Sequence, residues 1–190
     1  MEVAEVKAWR RAERERLIAE RMALTPAARR AAGDKIEALL QEILRARSGL
    51  LGIYWPFRAE FDPRHLVEAL VAAGRAVALP VVIDSKGPLE YRAWAPGEAL
   101  VAGVWDIPIP EKREIVSPAM VLAPLVGFDP DGYRLGYGGG YFDRTLGALN
   151  PRPLAIGVGF AFQEIATIHP QPFDVPMDMI VTEAGLRRRV

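Results

Sequence analysis

The chain has 190 residues, of which 51% are hydrophobic and 25% charged, a profile typical of a globular protein with a substantial core. Its 24 basic and 24 acidic residues cancel, so no net charge favours nucleic acid or an anionic membrane as a partner. Cysteine is absent, which excludes disulfides, thiolate metal sites and cysteine nucleophiles.

Two helices are predicted at the start of the chain. Residues 4–22 combine many charged side chains with a thin apolar stripe, which is typical of a helix with one buried edge. Thr25 is a good N-cap and Pro26 suits the first helical position, so a second helix is predicted to run from there to about Arg47. Together these form an N-terminal helical segment.

Apolar strands then alternate with helices. Buried strands are predicted at residues 50–55, 76–83, 120–126, 154–159 and, as a short last strand, 179–182. A helix from Asp62-Pro63 to Gly74 joins the first two strands, which indicates a right-handed βαβ unit in a parallel sheet. Residues 89–94 alternate like an antiparallel edge strand, and the Pro-rich residues 101–118 are expected to be extended.

The predicted fold class is therefore α/β. We expect a three-layer α/β/α arrangement with a mostly parallel central sheet, Rossmann-like, in addition to the N-terminal helical segment. One domain is predicted over residues 1–190, because no linker or repeat interrupts the chain. No apolar run approaches the roughly 20 residues of a membrane span, so the protein is expected to act in the cytoplasm without a membrane partner.

The most informative segment is a glycine-rich loop at residues 134–143, Arg-Leu-Gly-Tyr-Gly-Gly-Gly-Tyr-Phe-Asp. It follows a predicted strand and a polar turn, and it leads into a predicted helix at residues 141–149. Bare backbone N–H groups at a helix N-terminus can converge on an anion. Arg134 adds a fixed positive charge suited to phosphate, and Asp143 adds a carboxylate that a phosphate-bound Mg²⁺ could meet.

Two common nucleotide motifs do not describe this loop. A Walker A loop would end in Gly-Lys-Ser/Thr, and the dinucleotide fingerprint G-x-G-x-x-G fails because Tyr141 stands at its last position. A flexible glycine linker is the alternative, although Arg, Tyr, Phe and Asp do not usually flank linkers. Spacing alone therefore predicts a nucleotide or phosphate site of unspecified type.

Several motifs in a fixed order resemble the 5-formyltetrahydrofolate cyclo-ligase family, also called 5,10-methenyltetrahydrofolate synthetase. The resemblance covers nearly the whole chain, and the glycine loop is its most specific part. The matching segments are Lys7-x-x-x-Arg11, Tyr54-x-Pro56-x-x-x-Glu60, Trp105-x-Ile107-Pro108-x-Pro110, residues 134–144, Asp174-x-Pro176-x-Asp178 and Val181-Thr182-Glu183.

The resemblance implies an ATP-dependent ring closure. The formyl oxygen of 5-formyltetrahydrofolate attacks the γ-phosphate of MgATP, and the 10-nitrogen then attacks the phosphorylated imidate. Phosphate leaves, which gives 5,10-methenyltetrahydrofolate with ADP and phosphate. Such chemistry needs two aligned ligands and neutralised charge but no protein nucleophile. The implied partners are thus ATP and 5-formyltetrahydrofolate, with Mg²⁺ as cofactor and the protein as a monomer that binds no nucleic acid.

The resemblance also implies site residues. Catalytic roles fall to Arg134 and Tyr141, and metal binding to Asp143 and Asp174. The implied ATP contacts are Lys7, Arg11, Arg134, Leu135, Gly136, Tyr137, Gly138, Gly139, Gly140, Tyr141 and Phe142. The implied folate contacts are Tyr54, Glu60, Trp105, Tyr137 and Tyr141, where the Glu60 carboxylate suits the N–H donors of the pterin.

Three positions depart from the family pattern. Tyr137 stands where several relatives carry Arg or another polar residue, Gly139 where some carry Lys, and Phe173 where many carry His. If the missing cations matter, Arg134 and Lys7 must suffice. Two other functions stay open: a non-catalytic folate-binding or regulatory protein on the same scaffold, and a sugar-phosphate or CoA-ester enzyme on a similar α/β fold.

Overall fold

A computed structural model describes residues 2–189 of the chain. Its four α-helices are α1 Val3–Ala23, α2 Pro26–Arg45, α3 Arg64–Ala72 and α4 Tyr141–Ala148. Its strands are β1 Leu51–Gly52, β2 Val77–Val82, β3 Leu89–Trp94, β4 Leu100–Ala102, β5 Pro108–Pro110, β6 Met120–Pro124, β7 Gly127–Phe128, β8 Arg134–Leu135, β9 Leu154–Val158, β10 Met179–Thr182 and β11 Gly185–Arg188. Among these residues no helix is long and apolar enough to cross a membrane.

Seven strands form the central sheet, in the order β11-β10-β9-β6-β1-β2-β3. The five inner strands are parallel, and the edge strands β3 and β11 run antiparallel to their neighbours. Counted along the chain, the parallel strands have the order 2-1-3-4-5, which is the flavodoxin-like doubly wound arrangement. The direction of winding reverses between β1 and β6, and such a switch point opens a crevice at the carboxyl ends of the strands.

Helices cover both faces of the sheet, which confirms the predicted three-layer α/β/α class. On one face, α2 and α3 bury residues such as Leu40 and Leu66 against sheet residues such as Leu122. On the other face, Leu146 of α4 packs among residues that include Val121. Because successive strand residues point to opposite faces, continuous apolar strands such as β6 supply both cores.

The N-terminal helical segment is confirmed as two helices. Thr25 caps α2, since its hydroxyl accepts a hydrogen bond from the backbone N–H of Ala28 at 3.1 Å. Helix α1 lies outside the three layers and buries Val6, Arg10, Leu17 and Arg21. Two of these four buried residues are arginines, so its inner face is more polar than the apolar stripe suggests.

The strand predicted at 50–55 is shorter in the structure. Only β1 Leu51–Gly52 is a strand, although the N–H of Ile53 still donates to Ala78 at 2.9 Å. Pro56 has no N–H that could donate to a neighbouring strand. The Tyr54 hydroxyl donates to the Phe61 carbonyl at 2.9 Å and so holds this segment outside the sheet. The chain therefore leaves the sheet early and forms one wall of the crevice at the switch point.

Two further elements differ from expectation. The segment predicted as extended at 101–118 contains an antiparallel hairpin of β4 and β5 around a 3₁₀ turn, Val104–Asp106. Trp105 and Asp106 in this turn have φ of 57° and 58°. Strand β11 was not predicted, because its Gly-Leu-Arg-Arg composition is untypical of a strand, and it pairs with β10 at an exposed edge where charge is tolerated.

Candidate functional site

A cleft of about 520 Å³ lies at the switch point between β1 and β6. Its walls come from the inner face of α1, the segment after β1, the tip of the β4–β5 hairpin and the glycine-rich loop before α4. Distant parts of the chain thus meet at the carboxyl ends of the parallel strands, where open α/β sheets bind ligands. Most of the site residues predicted from the sequence line this cleft.

The glycine-rich loop has a defined conformation there. Gly138 and Gly140 have φ of 98° and 65°, which other residues adopt only with strain. A Cβ on Gly139 would lie 2.7 Å from the ring of Tyr141. Arg144 fixes the loop further by donating a hydrogen bond to the Gly139 carbonyl at 2.8 Å. This geometry favours a backbone cradle at the N-terminus of α4 over the alternative of a flexible linker.

Arg134 lies buried beneath the loop. Its Nη2 donates to Oδ2 of Asp143 at 2.9 Å, and its guanidinium lies over the Phe142 ring at 5.1 Å. Burial lowers the pKa of Arg134, and the charge of Asp143 opposes that shift. The Nε group is buried and has no hydrogen-bond partner within residues 2–189, so Arg134 retains an unused donor at the cleft.

Helix α1 presents different arginines from those that the resemblance implies. Lys7 and Arg11 do not line the cleft, and Arg11 is exposed, with its Nε 3.0 Å from Glu15. Arg10 and Arg14 line the cleft instead, one turn apart on the same face. The helix thus points Lys7 and Arg11 toward solvent and turns Arg10 and Arg14 inward.

Arg14 is the freer of these two cations. Its Nε donates to the Gly136 carbonyl at 2.7 Å, whereas its Nη groups form no hydrogen bond within the described part of the chain. Burial and the neighbouring charge of Arg10 lower its pKa. Arg10 is more constrained, because it pairs with Asp174 and donates from Nε to the Ile168 carbonyl at 2.9 Å.

The two carboxylates expected to hold Mg²⁺ are already engaged. In Asp143, Oδ2 accepts from Arg134 and Oδ1 from the backbone N–H of Val175 at 3.1 Å. In Asp174, both oxygens accept from Arg10, and Oδ2 also accepts from the N–H of Gln171. Within residues 2–189, no group of three or more acidic or His side chains could together hold a metal ion. These side chains therefore do not fit a site that binds Mg²⁺ through protein ligands alone.

Glu60 also lines the cleft, near Tyr137 of the glycine-rich loop. Its side chain is buried, and Oε2 accepts a hydrogen bond from the backbone N–H of Phe57 at 2.8 Å. Oε1 is also buried but has no hydrogen-bond partner among the described residues, and it lies 4.0 Å from Nη2 of Arg21. Burial raises the pKa of Glu60 to about 7, although the positive charge of Arg21 acts against the shift. Glu60 is therefore an acceptor available to a ligand with N–H donors.

The aromatic residues differ in exposure. Tyr54 is 3% exposed and donates to the Phe61 carbonyl, so it is mainly a structural part of the wall. Trp105, at the tip of the hairpin, is 62% exposed and meets the ring of Tyr141 edge-on at 5.9 Å. Tyr137 packs edge-on against Phe57 at 5.7 Å, near Glu60. Trp105, Tyr141 and Tyr137 thus offer ring surface to a flat ligand.

Several residues of the cleft were missed by the sequence analysis. They are Arg10, Arg14, Phe57, Arg58 and Phe173 in the lining, and Arg21 behind it. A signal for the arginines was present, because positions 10, 14 and 21 share one helical face with Val6 and Leu17. Leu135, Gly136 and Phe142 line the cleft as expected.

Comparison with known proteins agrees with this geometry. The profile of the 5-formyltetrahydrofolate cyclo-ligase family matches residues 6–183. A 5-formyltetrahydrofolate cyclo-ligase from Escherichia coli (strain K12) is 31% identical over 139 residues, which are 70% of this chain and 76% of that protein. One from Haemophilus influenzae is 27% identical over 139 residues, 69% of this chain and 74% of that protein.

Two solved structures have the same fold. The NMR structure of Aquifex aeolicus 5,10-methenyltetrahydrofolate synthetase superposes with a TM-score of 0.82 at 28% identity, covering 94% of this chain and 92% of that one. The 5,10-methenyltetrahydrofolate synthetase from Mycoplasma pneumoniae gives a TM-score of 0.77 at 25% identity, with 92% and 98% covered.

Proposed function

The chain belongs to the 5-formyltetrahydrofolate cyclo-ligase family, and from this premise we propose that it converts 5-formyltetrahydrofolate and ATP into 5,10-methenyltetrahydrofolate, ADP and phosphate. The observation that carries the proposal is that one cleft contains both kinds of group. Arginines and a glycine-rich loop line it, and so does a buried carboxylate with a free oxygen. We call the part around Arg14 and Arg134 the phosphate end and the part around Glu60 the folate end. A phosphate donor and a ligand rich in N–H groups can therefore bind side by side.

The proposed reaction has two steps within this cleft. The formyl oxygen attacks the γ-phosphorus of ATP, so that an oxygen-phosphorylated imidate forms and ADP leaves. The 10-nitrogen then attacks the former formyl carbon and loses its proton, and phosphate departs with the oxygen. Phosphorylation makes that oxygen a leaving group, so the protein needs to align the ligands and neutralise transferring charge.

At the phosphate end, Arg134 and Arg14 supply the positive charge. Arg134 has an unused buried Nε, and Arg14 has free Nη groups beside the glycine-rich loop. Guanidinium groups and backbone N–H groups aimed at a transferring phosphoryl group stabilise charge that grows in the transition state. Arg10 supports this end by holding Asp174. We propose these roles in place of those first assigned to Lys7 and Arg11.

At the folate end, Glu60 accepts hydrogen bonds from the pterin, and exposed rings cover the flat ligand. Tyr141 lines the same cleft, where its ring contacts Trp105 and it begins the helix that follows the loop. Mg²⁺ is proposed to enter bound to the phosphates of ATP, which suits a cation that prefers oxygen ligands and retains waters. The cleft is complete in one copy of the chain, which supports a monomeric, single-domain enzyme, and we propose that it acts in the cytoplasm.

A direct assay tests the proposal. Purified protein is mixed with 5-formyltetrahydrofolate, with and without MgATP, while the absorbance of the methenyl product and the release of phosphate are followed. Product that requires MgATP and forms in equal amount to phosphate is the expected result. Folate binding by calorimetry without turnover would instead support the non-catalytic alternative. Failure to bind either ligand would overturn both.

A further inference from the structure

One buried guanidinium connects the segments that form the folate end of the cleft. Arg21 of α1 is 1% exposed. Its Nε donates to the carbonyl of Arg58 at 2.9 Å, its Nη1 to the carbonyl of Leu125 at 2.9 Å, and its Nη2 to the hydroxyl of Tyr137 at 2.5 Å. These partners lie after β1, after β6 and in the glycine-rich loop. The same Nη2 is 4.0 Å from Oε1 of Glu60.

This arrangement is unusual for a buried positive charge. An arginine that only links backbone segments through hydrogen bonds does not need to be buried. Burying its positive charge is costly unless an anion is near. Among residues 2–189, Glu60 is the anion within 4.0 Å of Arg21, and its own side chain is 4% exposed. The two charges therefore compensate each other inside the wall of the cleft.

The Glu60 carboxylate is only half satisfied by the protein. Oε2 accepts from the N–H of Phe57, while Oε1 has no hydrogen-bond partner within the described residues. Arg21 is near enough to favour the charge on Oε1 but makes its own hydrogen bonds elsewhere. The Tyr137 hydroxyl also lowers the pKa of Glu60, but it does not meet hydrogen-bond geometry with Oε1. This oxygen therefore keeps acceptor capacity for a ligand.

We propose that Arg21 is a positioning residue for folate recognition: its charge favours the carboxylate form of Glu60, with Oε1 free, and it fixes the hydroxyl of Tyr137 beside that carboxylate. The inference rests on the proposed function, since it assigns the free oxygen to the N–H donors of the pterin. Arg21 acts through Glu60 and Tyr137 and does not line the cleft itself.

Other charged or titratable groups also face Glu60, and they have to be separated from the effect of Arg21. Tyr54 after β1 and Tyr137 in the loop interact with Glu60 directly. A second pocket that Glu60 also lines carries Asp62 just before α3, with Arg29, Arg30, Asp34 and Glu37 of α2 and His65 of α3. Arg58 lines the cleft together with Glu60. Since burial raises the pKa of Glu60 to about 7 and Arg21 opposes this, loss of the Arg21 charge should raise it further.

The consequence for substrate binding depends on pH. If loss of the charge raises the pKa of Glu60 by about one unit, the ionised fraction at pH 7 falls from about one half to about one tenth. The KM for 5-formyltetrahydrofolate should then rise about fivefold at pH 7, and the difference should nearly vanish at about pH 9, where both forms are ionised. The KM for MgATP should not follow this pattern.

The test compares Arg21→Gln, which keeps hydrogen-bond donors but loses the charge, with Arg21→Lys, which keeps the charge. KM and kcat for each substrate are measured between about pH 6 and pH 9. Arg21→Gln should move the acidic limb of the folate KM profile to higher pH, and Arg21→Lys should restore most of the wild-type profile. In a protein that already carries Glu60→Gln, Arg21→Gln should cause no further shift in the pH profile of the folate KM.

Arg75 provides a matched control outside the site. Its guanidinium also binds three backbone carbonyls, those of Leu44, Arg47 and Gly49. Arg75→Gln should lower the denaturation temperature, as Arg21→Gln does, but should leave the pH profile of the folate KM unchanged. A general loss of rigidity would instead affect both variants alike.

An independent readout keeps this inference separate from the proposed function. NMR of protein labelled with ¹³C at the glutamate carboxyl reports the pKa of Glu60 without substrate, and Glu60→Gln identifies its signal. A higher pKa in Arg21→Gln with an unchanged one in Arg75→Gln is expected whether or not the protein cyclises folate. An unchanged pKa of Glu60 in Arg21→Gln, or a pH profile identical to that of the wild type, would overturn the inference.

Discussion

The guanidinium of Arg134 and the carboxylate of Asp143 form a buried ion pair, with Nη2 2.9 Å from Oδ2. The pair joins β8, at the start of the glycine-rich loop, to the first turn of α4, and so closes the loop at its base. The second oxygen of Asp143 accepts from the N–H of Val175, which ties the loop to the segment before β10. Asp143 thus ties Arg134, for which we propose a role in catalysis, to two other segments of the chain.

This relationship predicts the behaviour of Asp143→Asn. The substitution leaves the buried charge of Arg134 uncompensated, so the free energy of unfolding should fall by about 3 kcal/mol. Activity should fall as well, but the Mg²⁺ concentration for half-maximal activity at saturating ATP should not change. An increased Mg²⁺ requirement, with activity restored by excess Mg²⁺, would show instead that Asp143 binds the metal.

Asp178 offers the matching control. It pairs with Arg152 at 2.9 Å and accepts from the N–H of Ala155 at 2.8 Å, but it is more exposed and does not line the cleft. Asp178→Asn should therefore cost about 1 kcal/mol of stability or less and leave kcat/KM unchanged.

The rotation of α1 about its own axis predicts which arginine binds ATP. Arg14→Gln should raise the KM for MgATP about tenfold or more, since a hydrogen bond to a charged phosphate contributes about 1.5–3 kcal/mol. Arg11→Gln removes the same charge three residues earlier, where the side chain is exposed and paired with Glu15. It should change KM by less than about twofold. Steady-state kinetics of both variants measure these KM values. A larger rise in KM for Arg11→Gln than for Arg14→Gln would return Lys7 and Arg11 to the proposed ATP site.

The backbone of the glycine-rich loop predicts a separation of stability from activity. Gly138 has φ of 98°, and Gly97 has φ of 92° with open space around it. Alanine at either position should cost about 1–2 kcal/mol, because side chains strain this conformation. Only Gly138→Ala should lower kcat/KM, since Gly138 lines the cleft and Gly97 does not. Equal loss of activity in both would mean that the loop has no special role.

The raised pKa of Glu60 predicts a pH-dependent stability. A carboxyl group whose pKa is about 7 when folded and about 4.5 when unfolded favours folding below pH 4.5, and that contribution is lost as pH rises through 7. Relative to Glu60→Gln, the wild type should therefore lose on the order of 3 kcal/mol of unfolding free energy between about pH 4.5 and pH 8. Denaturant titrations at both pH values measure it. If the free energy of unfolding changes with pH by the same amount in both proteins, the pKa of Glu60 is near its usual value.

The elements and the class of fold could largely be predicted from local pattern. Apolar strands with intervening helices indicated a parallel sheet, and Thr25-Pro26 marked the start of α2, because periodicity and capping depend on residues close in sequence. The glycine-rich loop was identified for the same reason, since its composition alone requires a special backbone. The order of the strands and the hairpin around Trp105 were beyond such local rules.

The sequence by itself determined which chemical groups the site can draw on: the glycine-rich loop, Arg134, Glu60 and a surplus of arginines on the first helix. Only the tertiary structure decided where each of them lies. The buried face of helix α1 contains arginines as well as apolar residues. Packing of this face, which includes contacts with β7, turned Arg10, Arg14 and Arg21 inward and left Lys7 and Arg11 in solvent. The same packing occupied Asp143 and Asp174 with arginines and left one oxygen of Glu60 free. The strength and sign of an electrostatic interaction depend on distance and burial, and both are set by residues far apart in the chain.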